Sequence, residues 1–355
     1  MAEALLRTID TSNTTTLACV FCVVSYGLIG IDYWLLKREV TGMGLKIGVD
    51  GGGSKTEIVA LDQRDQVLRC LRKPASNYHV VGIEQAVINI VEGIREALQG
   101  EILEGIGISL AGIDTSEDWN IVADGLRQSL KVLAPKTIVP YQEVPVVLEN
   151  DSFGALMSVR GKFCGNVLAV GTGTVALGVD TEGHVFRVGG LGHLIGDQGS
   201  GYDIGRKALA AAVASFEGYG PKSLLETKLP EHLGLAQVLD VSYWLYQSQR
   251  TNKEVAALVP VVVETAHTGD YISRCILDES GRALGTLTRA LLRKTKGLEI
   301  GLVGGITNIW ELIEPSFLAT VQEEFPLLQI LKPNYSPSVG AALLSMVSQV
   351  RHIVI

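Results

Sequence analysis

Two short glycine turns are the first features of the sequence that could do chemistry. Residues 50–56 read Asp-Gly-Gly-Gly-Ser-Lys-Thr, and residues 171–174 read Gly-Thr-Gly-Thr. Glycines let a chain fold back tightly and point several N–H groups at an anion, and hydroxyl groups add donors. One such turn would fit an ordinary hairpin, but two such turns indicate a site that binds a polyphosphate from both sides. The expected contacts are Gly51, Gly52, Gly53, Ser54, Lys55, Thr56, Gly171, Thr172, Gly173 and Thr174.

Two further strand ends carry residues that extend this site. Asp50 ends a buried strand and could position a hydrated Mg²⁺ beside the phosphates. Gly304 and Gly305 follow another strand and would let a flat ring lie close to the backbone. A helix that starts tightly against that strand would explain the same two glycines equally well.

Asp151 is the candidate general base. It follows a buried strand and precedes the small residues Ser152, Gly154 and Ala155. A carboxylate in this place can cap a helix, which is its ordinary structural role. Its functional role would be to accept a proton from an alcohol as that alcohol attacks a phosphoryl group. Both interpretations remain open at this point.

The segment from Gly189 to Tyr202 has an unusual glycine content. Six of its fourteen residues are glycine, a density that a packed core does not need. A loop that closely wraps a ligand explains it better. Asp197 offers two acceptors for sugar hydroxyl groups, whereas we expect His193 to be a structural histidine.

The turns lie on elements that repeat along the chain. A strand, a glycine turn, a strand, a hairpin turn and a third strand span residues 46–71, and the same order returns in residues 166–188. The offset of about 120 residues is typical of a duplicated α/β domain. Because ligands of such folds bind at the carboxyl ends of the strands, the glycine turns lie at the expected edge.

We expect two domains, at about 43–150 and 151–350, the second with a helical insertion and a closing helix at about 338–350. Residues 1–42 form an extension whose apolar part, 17–36, could be a weak membrane anchor, an ordinary packed helix or a segment that precedes the true domain start. We favour the last interpretation and a cytoplasmic protein, with a membrane-anchored protein whose main domains are cytosolic as the alternative.

Composition excludes other classes of protein. The 355 residues include 30 Lys plus Arg and 38 Asp plus Glu, and the resulting net charge of −8 without a basic block argues against nucleic-acid binding. The number of cysteines, five, is odd and the chain is long, which argues against a disulfide framework. Cys19 and Cys22 have the spacing of half a metal site but lack a second pair, so we interpret them as apolar filler.

Taken together, these motifs resemble the sugar kinase, Hsp70 and actin superfamily. The fold expected from this resemblance is α/β, with two duplicated ribonuclease-H-like domains and a cleft between them. More narrowly, the chain resembles the N-acetylglucosamine kinase family, grouped with the BadF/BadG/BcrA/BcrD ATPases, from about Met43 to about Val350. The motifs that occur in family order are DGGGSKT, the Ala75–Asn77 segment, Asn150-Asp151, GTGT, GGLGHLIGDQGSGYDIG and PSVGAA.

The resemblance implies ATP, Mg²⁺ and transfer of phosphate to the 6-hydroxyl of an amino sugar. It implies that Ser54 and Thr172 contact the ATP phosphates, and that Gly304 and Gly305 contact the nucleoside. It further implies a homodimer. The residues it implies for the sugar are Asn77, Asp151, Gly190, Leu191, Gly192 and Asp197, with Asp151 also acting as the base.

Two departures from the family pattern leave the sugar open. Leu191 stands where the family often has Trp, and Gln198 stands where it has Glu. N-acetylmuramate and glucosamine kinases are therefore alternatives to an N-acetylglucosamine kinase. An iron–sulfur activator ATPase of the same grouping is a weaker alternative, because Cys164 and Cys275 have no suitable neighbours. A sugar-binding regulator is weaker still, since no basic helix-turn-helix precedes Met43.

Overall fold

The computed structural model describes residues 44–133, 144–247 and 250–353, with side chains described up to residue 130 in the first of these ranges. The expected extension 1–42, with its apolar part 17–36 and Cys19 and Cys22, lies outside these residues. Within the described ranges, no helix combines the length and apolar character needed to cross a bilayer.

A five-stranded mixed sheet forms the first half of the molecule. Its strands are β1 (Gly44–Gly51), β2 (Thr56–Leu61), β3 (Val67–Lys73), β4 (Ile102–Leu110) and β5 (Val146–Asn150), in the order β3-β2-β1-β4-β5. Strand β1 pairs antiparallel with β2 and parallel with β4. Its helices are α1 (Tyr78–Val81), α2 (Ile83–Leu98) and α3 (Ser116–Leu133). The strands β1 and β4 are almost entirely buried, as expected for central strands covered on both faces.

The second half repeats this plan. Its strands are β6 (Gly165–Val170), β7 (Thr174–Val179), β8 (Val185–Gly189), β9 (Glu299–Val303) and β10 (Gln329–Leu331), in the order β8-β7-β6-β9-β10. Strand β6 pairs antiparallel with β7 and parallel with β9, as β1 does with β2 and β4. The duplicated α/β architecture expected from the sequence is confirmed.

Helices inserted between β8 and β9 enlarge the second half. They are α5 (Gly201–Glu217), α6 (Leu225–Leu233), α7 (Asp240–Leu245), α8 (Asn252–Ala256), α9 (Val259–His267) and α10 (Tyr271–Thr295). A short 3₁₀ helix (Gly305–Ile309) and α11 (Trp310–Gln322) follow β9. Apolar side chains of these helices and of β6, β7 and β9 form one buried cluster, which fixes the inserted helices against the sheet.

Two helices lie where the halves meet. Helix α4 (Asp151–Arg160) follows β5, and the closing helix α12 (Pro337–Leu344) packs on α4, β1 and β4. A Cβ at Gly48 would lie 2.0 Å from the Ser338 carbonyl oxygen, so only glycine permits this approach. The closing helix is shorter than expected. It packs both on the sheet of the first half and on α4, and its assignment to the second domain stays a prediction.

Candidate active site

Backbone hydrogen bonds at Gly52 hold the first glycine turn in place, and the tip of the turn is exposed. The Gly52 N–H donates to the Lys55 carbonyl over 3.0 Å and closes the turn. The Gly52 carbonyl accepts from the backbone N–H groups of Ser76 and Asn77, at 3.1 and 3.2 Å. Gly53, Ser54 and Lys55 are exposed. The tip of the turn is therefore free to meet an anion.

The second glycine turn is held by the start of α5. The Gly171 N–H donates to the Gly173 carbonyl over 2.9 Å. The Gly171 and Thr172 carbonyls accept from the N–H groups of Gly201 and Tyr202, at 2.9 and 3.2 Å. Gly171 and Thr172 are exposed. This turn is also fixed in shape with an accessible tip.

Two of the expected phosphate contacts are buried beneath the turns. Thr56 and Thr174 begin the second strand of their sheets and are 0% and 2% exposed. The Thr56 hydroxyl donates to the Pro74 carbonyl and is bonded to the Ser76 hydroxyl. The Thr174 N–H donates to Oδ1 of Asp197. Both threonines therefore support the turns from inside, and their contact with phosphate stays a prediction.

Asp151 is the first residue of α4, and it is not the helix cap. That role belongs to Asn150, whose side-chain oxygen accepts from the Ser152 N–H at 3.0 Å and the Ser152 hydroxyl at 2.6 Å. The Asp151 carboxylate is therefore available for another role. Burial, reinforced by the negative charge of Asp114, raises its pKa to about 6, against the opposing effects of the Ser152 N–H and Arg187.

Asp50 lies within electrostatic range of Asp151. Burial raises the pKa of Asp50 to about 7, and the charges of Asp151 and Glu57 add to this shift while Lys55 opposes it. A nearby cation would favour ionised Asp50. Among the described residues, no three His, Cys, Asp or Glu side chains are arranged to bind a metal directly. This donor set fits a Mg²⁺ ion held mostly by water and phosphate oxygens.

The glycine-rich segment forms a loop between β8 and α5. Gly190, Gly192 and Gly199 have φ angles of 73°, 83° and 77°, which side chains rarely adopt. One carboxylate oxygen of Asp197 is engaged by the Thr174 N–H at 2.9 Å, so this residue links the loop to the second turn. Leu191 is 67% exposed. The loop thus has an open backbone surface.

His193 has structural partners, as the sequence suggested. Its Nδ1 lies 2.8 Å from the side-chain nitrogen of Asn252, and its ring packs edge-on against Tyr202 at 4.8 Å between centroids.

Asn77 caps α1, because its side-chain oxygen accepts a hydrogen bond from the His79 N–H at 3.0 Å.

Asn77 also packs against the segment that follows β4. A Cβ at Gly112 would lie 2.7 Å from the side-chain oxygen of Asn77. Asn77 therefore packs directly on the segment that leads from β4 to Asp114, which is itself close enough to Asp151 to affect its pKa.

A cavity of about 760 Å³ opens beside the second turn. Gly304, with φ 102°, must be glycine because a Cβ there would lie 2.3 Å from the Val170 carbonyl oxygen. Gly305 borders the cavity, with open space where a Cβ would stand. The lining residues are Gly171, Thr172, Gly201, Ile204, Lys253, Ala256, Ala257, Val259, Pro260, Val263, Glu264, His267, Gly305, Ile306, Asn308 and Ile309.

Sequence reasoning missed two groups of residues. Of the polar side chains of the cavity wall, Lys253, Glu264 and His267 lie far from every glycine motif in the sequence, and Asn308 comes three residues after Gly305. Asp114 and Arg187, which lie near Asp151, were also missed. Asp114 could have been found, because it comes shortly after the buried strand β4, and Asp151 comes directly after β5.

Comparison with known proteins shows the family of this chain. The model of the BadF/BadG/BcrA/BcrD ATPase family matches residues 47–345. The chain belongs to this family. It is 32% identical to an N-acetyl-D-glucosamine kinase of Dictyostelium discoideum over 85% of this chain and 98% of the relative. It is 31% identical to an N-acetylmuramic acid/N-acetylglucosamine kinase of Clostridium acetobutylicum over 84% and 97%.

A solved structure confirms the fold of this family member. The putative N-acetylglucosamine kinase of Chromobacterium violaceum superposes with a TM-score of 0.68 and covers 86% of this chain and 99% of its own. The sequence identity of 21% makes this a likeness of fold. The duplicated sugar kinase architecture expected from the sequence is therefore shared with a known protein.

Proposed function

We propose that this protein is an ATP-dependent kinase that phosphorylates the 6-hydroxyl of N-acetylglucosamine. The observation that carries the proposal is Asp151, a carboxylate at the start of α4 that does not serve as the cap and that has a pKa of about 6. Such a group is mostly ionised at neutral pH and can still accept a proton readily. Membership of the family and the names of both relatives support the same reaction.

We propose that the nucleotide lies mainly in the second half. A cavity of about 760 Å³ has room for an adenosine group, and it opens onto the exposed residues Gly171 and Thr172. Phosphates that leave this cavity would meet the second turn first and then the exposed tip of the first turn at Gly53 and Ser54. Mg²⁺, held through water by Asp50, would offset phosphate charge when bound.

The sugar would bind on the first half, covered by the glycine-rich loop. Asn77, the Gly190–Gly192 backbone and the free oxygen of Asp197 are the proposed hydrogen-bonding groups. Asp151 accepts the proton of the 6-hydroxyl as that oxygen bonds to the γ-phosphorus. The bond from this phosphorus to the β,γ-bridging oxygen breaks, and ADP carries away the electron pair. The remainder of the catalytic effect would come from positioning and exclusion of water.

The cellular setting belongs to the same proposal. A cytoplasmic location would supply ATP, and a homodimer is what the family resemblance implies. Size-exclusion chromatography with light scattering would test the second statement.

Two other amino sugars are alternatives to N-acetylglucosamine. N-acetylmuramate remains an alternative, because the Clostridium relative is named for both sugars. Glucosamine is another alternative. The weaker activator hypothesis requires bound iron, so an iron assay of a preparation purified without oxygen would test it.

A kinase assay over a panel of sugars tests the function. The full chain is incubated with ATP, Mg²⁺ and each of N-acetylglucosamine, N-acetylmuramate, glucosamine and glucose, and ADP release is measured. We expect the highest kcat/KM with N-acetylglucosamine, and a product that ³¹P–¹H correlation NMR shows to be the 6-phosphate. ADP release that no sugar stimulates would contradict the proposal.

A further inference from the structure

A chain of hydrogen bonds joins the glycine-rich loop to the start of α4. Nη2 of Arg187 donates to the Gly190 carbonyl and, over 2.7 Å, to Oδ1 of Asp114. The same Oδ1 accepts from the side-chain amide of Asn150 at 3.2 Å. Asn150 is the cap of α4 and the residue before Asp151. The chain thus begins at the proposed sugar loop and ends beside the proposed base.

This series of hydrogen bonds crosses between the two halves of the molecule. Arg187 lies in β8 of the second sheet, whereas Asp114 follows β4 of the first. Asn150 holds the Asp114 segment a second time, because its amide also donates to the Ile113 carbonyl at 3.2 Å. The crossing is therefore anchored in both sheets at the sugar side of the cleft.

The geometry points to Arg187 and Asp114 as positioning residues that fix the sugar loop relative to Asp151. This inference rests on the proposed function for the identity of the substrate. The Arg187 and Asp114 side chains are 28% and 45% exposed, so their pair contributes little to the free energy of unfolding. Its effect lies in geometry, since small displacements of reacting groups reduce rates strongly.

The location of the pair predicts a selective defect. Every residue that lines the nucleotide cavity lies between Gly171 and Ile309, within the second half, and Arg187 and Asp114 are not among them. Breaking the pair should therefore impair use of the sugar and leave ATP binding intact.

The test compares Arg187→Gln, Asp114→Asn and the double variant with the wild-type full chain. We expect each single variant to lower kcat/KM for N-acetylglucosamine roughly 10- to 100-fold. The double variant should have about the same kcat/KM as the single variants, because both substitutions break the same series of hydrogen bonds. Arg187→Lys should recover part of the loss. The dissociation constant for ATP, measured by titration without sugar, should stay within about twofold of wild type, a change of only ~0.4 kcal/mol.

Arg289→Gln is the matched control. Arg289 on α10 pairs with Glu323 at 2.6 Å and is 22% exposed, close to the exposure of Arg187. Like Arg187, it has a buried Nε without a partner among the described residues. Its pair lies within the second half and does not join the two sheets. We expect wild-type kcat/KM for the sugar in this variant.

Hydrogen exchange of the sugar-free chain provides a readout that does not depend on the substrate. Arg187→Gln should speed amide exchange in residues 189–196 and 150–153, and Arg289→Gln should not. Unchanged exchange in both segments overturns the inference, whatever sugar the enzyme uses. Additive losses, or an equal loss of ATP affinity, overturn it as well. Failure of the wild-type chain to phosphorylate any sugar refutes the proposed function alone.

Discussion

The two halves share one strand order but differ in what lies at the ends of their strands. In the first half, the carboxylates of Asp50, Asp114 and Asp151 lie near one another at the ends of β1, β4 and β5. In the second half, the corresponding edge borders a cavity of about 760 Å³. One copy of the fold therefore supplies the acidic groups, and the other supplies the cavity that we propose for the nucleotide.

The length of the connection after the third strand explains this divergence. In the first half, β3 and β4 are joined through the two helices α1 and α2. In the second half, the six helices α5 to α10 separate β8 from β9, and α5, α8 and α9 contribute walls of the cavity. Duplication gave two similar turns, and insertion into one copy created the pocket beside its turn.

The largest expected effect comes from the acidic half. Asp151→Asn keeps the size of the side chain but removes its ability to accept a proton at neutral pH. We expect kcat to fall roughly 10²–10⁴-fold, while sugar and ATP affinities from calorimetry remain near wild type. Asp124→Asn, on the exposed face of α3, is the matched control and should be fully active. Near-normal turnover by Asp151→Asn would exclude Asp151 as the base.

The next test separates the fold of the nucleotide half from its ligand contacts. Gly304→Ala forces a Cβ against the Val170 carbonyl at a φ of 102°, so we expect a loss of about 1–3 kcal/mol of stability and a lower melting temperature. Gly305→Ala meets open space. It should keep the wild-type melting temperature and raise the KM for ATP several-fold. The reverse pattern would place the nucleotide elsewhere.

The pH dependence of the rate should belong to the acidic half. Because Asp151 must be deprotonated to act as a base and its pKa is about 6, kcat/KM for the sugar should fall about tenfold per pH unit well below pH 6. Gly305→Ala should leave this acidic limb where it is. An identical limb in the residual activity of Asp151→Asn would assign the titration to another group.

The last prediction concerns the pH dependence of stability. Asp50 has a pKa of about 7 in the folded protein against an ordinary value of 3.8, so the folded state binds its proton more tightly. Stability from this group is present below pH 4 and is lost as pH rises toward 7. Asp50→Asn should therefore raise the melting temperature more at pH 8 than at pH 4. An equal change at both values would refute the shift.

Much of the fold could be predicted, because local residue patterns specify it. The glycine turns, the internal repeat and the buried strand before Asp151 all follow from short segments. The burial of Thr56 and Thr174 could not be predicted from the turns alone. It arises because Thr56 pairs with Gly51 and Thr174 pairs with Val170 at the start of a strand, where both side chains face inward. The packing of α12 on the first sheet depends on distant glycines, which no local pattern reveals.

The residues that join distant parts of the chain were the hardest to predict. Arg187 and Asp114 are 73 positions apart, and their contact depends on how the two sheets face each other. The cavity wall at Lys253, Glu264 and His267 comes from an insertion whose helical pattern carries no chemical signal. Such sites arise from tertiary packing, which short motifs do not record.

The most direct test of this division between the halves is a crystal structure with N-acetylglucosamine and a non-hydrolysable ATP analogue. We expect the adenine ring of the nucleotide in the cavity of the second half and the terminal phosphate between Ser54 and Thr172. The sugar 6-hydroxyl should lie about 2.6–3.2 Å from the Asp151 carboxylate. A terminal phosphate away from both turns, or a 6-hydroxyl that faces a group other than Asp151, would contradict the central claim.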